Sequence, residues 1–145
     1  MADTPGRILV PVDGSPASLR AAVHATGLIR AGLARSALLL NVQPQVMSGE
    51  VSPLVTVDEV QRMRQRAGEQ RLAAAQQVFA DAGIPFEQRI VCGDPGETVA
   101  ETVSESGCTQ VVMGARGLGK IANLMLGSVA SRVLHLVNVP LTLIK

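Results

Sequence analysis

The sequence predicts an α/β fold: a single open, doubly wound, mostly parallel five-stranded sheet with helices on both faces, Rossmann-like in type. Short β-rich apolar runs alternate with longer segments of helical periodicity, strand then helix four times and then a last strand. The first two strand runs are almost wholly apolar, as they are when both faces of a parallel sheet are covered. Turn and cap residues fall between them. With 145 residues and no internal repeat or linker, residues 1–145 are read as one domain.

The first strand is ILVPV, following Arg7 and ending at Val12. Asp13-Gly14-Ser15-Pro16 then turns the chain, with Ser15 suited to cap a helix and Pro16 to its first position, where a missing N–H costs nothing. Leu19, Ala22, Val23, Thr26 and Ile29 recur at helical steps up to Ala31, and Gly32 is the stop. ALLLNV at residues 37–42 is the second strand, and a long loop runs from Gln43 to Val57. Residues 58–82 are rich in Ala, Gln, Glu and Arg. There Val60, Met63, Ala67, Ala74 and Val78 are spaced for an amphipathic helix that Gly83 closes.

Residues 86–91 make a third strand. Asp94-Pro95 opens a third helix to about Ser106, with Val99 and Val103 inward, and residues 110–113 make a fourth strand. A loop of small and basic residues leads to a helix over 128–136 and a final strand, LTLI, at 141–144.

Composition excludes several functions. Lys plus Arg number 13 against 12 Asp plus Glu, and the net charge of +1 gives no field to steer the chain onto nucleic acid or an anionic membrane. There is no Trp or Tyr, and Phe79 and Phe86 are the sole aromatics, so a base would sit among aliphatic side chains rather than stack on rings. No apolar run reaches the roughly 20 residues that span a bilayer, and the opening MADTPGRILVPVD has no signal-like pattern, so the expected compartment is the cytoplasm. Cys92 and Cys108 read as ordinary thiols, His24 and His135 as surface or packing residues, and Met47, Met63, Met113 and Met125 as gap-fillers.

In a doubly wound sheet of order 3-2-1-4-5, ligands bind beyond the carboxyl ends of strands one and four, where the strand order reverses. Two loops meet there: Pro11-Val12-Asp13 after the first strand, and Met113, Gly114, Ala115, Arg116 and Gly117 after the fourth. The second loop reads GARGLGKIANLMLGSV, with Ser128 expected to cap the last helix. Glycines let main-chain N–H groups approach phosphate oxygens, and the helix N-terminus adds unpaired donors and a positive dipole end. Gly114 to Lys120 also matches the body of a P-loop, but Ile121 stands where the magnesium-binding Ser or Thr belongs. Arg116 and Lys120 remain candidates for neutralising phosphate charge, beside their reading as a solvated basic loop.

The spacing Gly114-x2-Gly117-x9-Gly127-Ser128, the opening ILVPVDGS, the LLLNV of the second strand and the NVPLTLIK ending together resemble the universal stress protein family in its ATP-binding branch, over essentially the whole chain. That resemblance implies an adenine nucleotide alpha hydrolase-like fold and ATP as ligand, with Mg2+ or Mn2+ accompanying the phosphates. It places Asp13 beside the nucleoside, the Val42 main chain at the adenine, and Pro11 and Met113 around base and ribose, with Val12 of the same loop among the binding residues. Gly114, Gly117, Gly127, Ser128 and Val129 would hold the phosphates. It further implies a homodimer through the last strand, Val139 to Ile144, which would otherwise be an exposed apolar edge. Asn41 stands where the family often has histidine.

Three functions remain open at this point. One is a regulatory ATP-binding dimer of the stress response. Another is a slow ATP hydrolase or phosphoryl-transfer enzyme in which Asp13 holds a metal indirectly. The third is a sensor or buffer of AMP or cyclic AMP. No residue is clearly placed as a base to activate water, so no catalytic residue is assigned and the balance leans away from an enzyme.

Overall fold

In the computed structural model of the protein, the structure describes residues 6–45, 53–118 and 126–145. The elements in chain order are β1 (Arg7–Pro11), α1 (Pro16–Arg30), β2 (Ser36–Gln43), α2 (Val57–Ala82), β3 (Phe86–Cys92), α3 (Pro95–Ser106), β4 (Cys108–Gly114), α4 (Ser128–Leu136) and β5 (Leu141–Ile144). All neighbouring strands are parallel, in the order β3-β2-β1-β4-β5, as the sequence predicts. Among the described residues no helix is long and apolar enough to cross a membrane.

Alternate residues of a strand face opposite sides of the sheet. Ile8 and Val10 of β1 with Ala37 and Leu39 of β2 therefore pack under α1 and α2, against Ala21, Ala25, Leu72 and Phe79. Leu9, Leu38 and Leu40 point the other way and meet Val99 and Val103 of α3 and Val133 of α4. The apolar strand runs are thus a two-sided core, and each fully buried Leu or Val contributes about 1.5–3 kcal/mol relative to exposure.

Helix ends follow local chemistry. Ser15 caps α1, its side chain accepting the Ser18 N–H, and Gly32 follows in the left-handed region at φ 82°. A capping box that the sequence reading missed starts α2: the Thr56 hydroxyl accepts the Glu59 N–H and the Glu59 carboxylate accepts the Thr56 N–H. The buried face of α2 also differs from expectation. It consists of Gly68, Leu72, Ala75 and Phe79, whereas Met63 is 66% exposed and Ala74 faces solvent. The cause is Gly68: a Cβ there would lie 2.6 Å from Ile90 Cγ2, so a glycine is what lets α2 seat on β3. Val23 of α1, expected inward, is likewise exposed, and Ala21 and Ala25 take the inner face.

Candidate functional site

The carboxyl ends of β1 and β4 border a cavity of about 320 Å³, at the point where the strand order reverses. Pro11, Val12, Asp13, Val42, Met113, Gly114, Arg116, Gly117, Gly127, Ser128 and Val129, all predicted from the sequence, line it. The middle of the loop from Gln43 to Val57 and of the insert from Leu118 to Leu126, with Lys120, lies outside the described residues.

Asp13 joins the two loops. Its Oδ1 accepts the Ser15 N–H at 2.9 Å and its Oδ2 accepts the Leu118 N–H at 3.1 Å. Gly117 is a glycine for this reason, because a Cβ there would run into Asp13 Oδ2. At Gly114 a Cβ would stand 2.9 Å from Ala17 Cβ and 3.1 Å from Ser18 N, so β4 and the start of α1 meet main chain to main chain. The Gly127 N–H donates to Ala115 O at 2.7 Å, closing the far end of the loop onto its beginning, and the Ala115 N–H donates to Ile144 O at 2.7 Å.

Ser128 differs from expectation. Gly127 is the N-cap of α4, with no side-chain capping bond, and Ser128 is the first helical residue. The physical reason is the Gly127–Ala115 bond, which sets the non-helical turn one residue earlier. Ser128 is therefore exposed at the rim with its hydroxyl unused by the cap. The first-turn amides of a helix have no partner within it, and the positive end of the α4 dipole points the same way. Arg116 is exposed and borders both this cavity and a second one shared with Arg20 and Lys145.

The other end is apolar, formed by Leu40 and Val42 of β2, Val99 of α3, Met113 and Ala130. Sequence reasoning missed Ser15, Ser18, Leu40, Asn41, Pro95, Val99, Leu118 and Ala130 in this lining. Asn41 carried a legible signal, an amide inside the apolar run LLLNV. It is buried, its Nδ2 donating to Val12 O at 2.8 Å and its Oδ1 accepting from Gln43 Nε2 at 2.7 Å. Cys92 is exposed and is not among the lining residues, its thiol lying 3.6 Å from Pro44 O; His24 and His135 are exposed on α1 and α4.

An open parallel sheet with a glycine-edged crevice at its switch point defines a Rossmann-like ligand-binding α/β protein. The chain belongs to the universal stress protein family, whose model matches residues 5–145. It is 26% identical over 145 residues to universal stress protein YxiE of Bacillus subtilis, covering 96% of this chain and 98% of that protein. Among solved structures it resembles a universal stress protein in complex with cAMP (26% identity, TM-score 0.71, 99% of both chains covered). A family member from Arabidopsis thaliana with AMP bound is similar in fold (24% identity, TM-score 0.65, 97% of this chain and 92% of that one).

Proposed function

We propose that the chain is an ATP-binding universal stress protein, a small regulatory dimer of the stress response acting in the cytoplasm. The observation that carries this reading is the crevice itself: an aliphatic end at Val42 and Met113, and a glycine loop with a helix N-terminus at the other. Phosphates take the N–H groups of Ser128 and Val129 and the Ser128 hydroxyl, with Gly114, Gly117 and Gly127 admitting them closely and Arg116 supplying charge. The base lies between Pro11, Val12 and Met113 and meets the Val42 main chain, and Asp13 lies beside the ribose.

Asp13 is the single carboxylate among the lining residues, and both its oxygens accept main-chain N–H groups. Among the described residues no group of three or more His, Cys, Asp or Glu is placed to hold a metal ion. The donor set fits Mg2+ or Mn2+ carried on the phosphates, with Asp13 contributing through water. The same engagement of Asp13 argues for holding the nucleotide over activating water to attack it. At β5, an edge strand, a second copy would cover Val139 to Ile144.

A second reading, preference for AMP or cyclic AMP, is supported by the relatives solved with those ligands. Calorimetric competition among ATP, ADP, AMP and cyclic AMP separates the two. Tightest binding of ATP is expected; tightest binding of a monophosphate moves the assignment to the second reading, and no binding of any defeats both.

A further inference from the structure

In β2 the main-chain groups alternate sides. The Ala37 N–H donates to Pro85 O and Gln43 O accepts from Gly93, so odd residues face β3. Leu40 O accepts from Val12, so even residues, Val42 included, face β1. The β1–β2 ladder ends at the pair Pro11–Leu40. A regular parallel ladder has one further bond available. Having donated to Leu40 O, Val12 would next accept the Val42 N–H at its own carbonyl.

Among the described residues that bond is not made. The Val12 carbonyl accepts the Asn41 side-chain amide instead, at 2.8 Å. The amide's orientation follows from its partners: a carbonyl only accepts, so Nδ2 must face Val12, which leaves Oδ1 for the Gln43 Nε2 at 2.7 Å. Asn41 is 3% exposed, so its two bonds are made away from competing water.

From this geometry we infer that Asn41 is a positioning residue: by holding the Val12 carbonyl it leaves the Val42 N–H without a partner among the described residues, at the crevice beside the Val42 C=O, as a donor–acceptor pair that reads a 6-aminopurine. This rests on the proposed function. Adenine presents a ring-nitrogen acceptor beside an amino donor, which such a pair matches. In the same pose hypoxanthine presents N–H to N–H and carbonyl to carbonyl, so both contacts are lost and buried groups are left unsatisfied.

The test uses the intact protein and compares ATP with ITP by calorimetry, alongside amide hydrogen exchange at Val42 in the nucleotide-free state. The parent is expected to prefer ATP by roughly 100-fold, two mismatched buried pairs being involved. Asn41→Leu frees the Val12 carbonyl for Val42. The preference then falls to about threefold or less, and the Val42 amide becomes protected from exchange. Asn41→His, which keeps a ring N–H donor, retains the preference, and Gln43→Ala, which leaves the fold's core untouched, weakens it in part. An unchanged ATP-to-ITP ratio in a folded Asn41→Leu protein, or a Val42 amide already protected in the parent, overturns the inference. A parent that binds neither nucleotide defeats the proposed function instead, and the exchange contrast at Val42 then decides the role of Asn41 by itself.

Discussion

The Asp13 carboxylate and the Leu118 main-chain amide meet at 3.1 Å across 105 residues of sequence, and this contact spans the crevice mouth. The same carboxylate holds the Ser15 N–H, so one side chain sets the β1–α1 turn and the glycine loop together. Asp13→Asn keeps the shape but weakens both charge-assisted bonds. It is expected to lower stability in urea by about 1–2 kcal/mol and nucleotide affinity by about tenfold. An ATP turnover assay on the same pair should show slow or no hydrolysis in the parent; loss of a robust activity with binding retained would mark Asp13 as part of an enzyme.

Two glycines of one loop should respond differently to alanine. At Gly114 the added Cβ meets Ala17 and the Ser18 main chain, so Gly114→Ala is expected to destabilise the fold by about 1–3 kcal/mol through overpacking. At exposed Gly117 it meets a carboxylate oxygen of Asp13, so Gly117→Ala costs stability less than about 1 kcal/mol but displaces the clasp and weakens nucleotide binding. Chemical denaturation and calorimetry on the two variants check the split.

The buried face of α2 is tested by Leu72→Ala against Met63→Ala. Leu72 is 0% exposed and its truncation should cost about 2–5 kcal/mol, whereas Met63 should cost less than about 0.5 kcal/mol. Equal losses at the two positions would return the inner face to the stripe of Val60, Met63 and Ala67.

At β5, the Val111 N–H donates to Pro140 O and the Ala115 N–H to Ile144 O, so even residues face β4. Leu141 and Leu143 therefore present N–H and C=O to the open edge. Leu143→Pro removes an outward donor and leaves the β4 ladder its bonds. Light scattering is expected to show a dimer for the parent and a monomer for this variant; a monomeric parent would contradict the proposed assembly.

Strand order and element sequence were legible because they rest on strong signals: both-face apolar runs and Gly, Pro and Ser punctuation. The crevice was legible through one rule, that ligands sit where the strand order reverses, and through glycines whose Cβ positions the structure fills with Asp13 and Ala17. Tertiary fit was harder to read. The α2 face turns on Gly68 against Ile90, a contact between residues distant in sequence. Ser128 lost the N-cap to Gly127 because Ala115 accepts the Gly127 N–H, and periodicity carries no trace of that bond. Asn41 was visible as a polar interruption, but its meaning needs the end of the β1–β2 ladder.

The most direct test of the central claim is to denature freshly purified protein, prepared without added nucleotide, and identify what it releases by mass spectrometry, with Gly127→Ala plus Ser128→Ala as the paired variant. ATP released by the parent and not by the variant is the predicted result, and places the nucleotide at the Gly114–Ser128 loop. A parent that releases nothing, and whose thermal unfolding is also unmoved by millimolar ATP, would contradict the assignment.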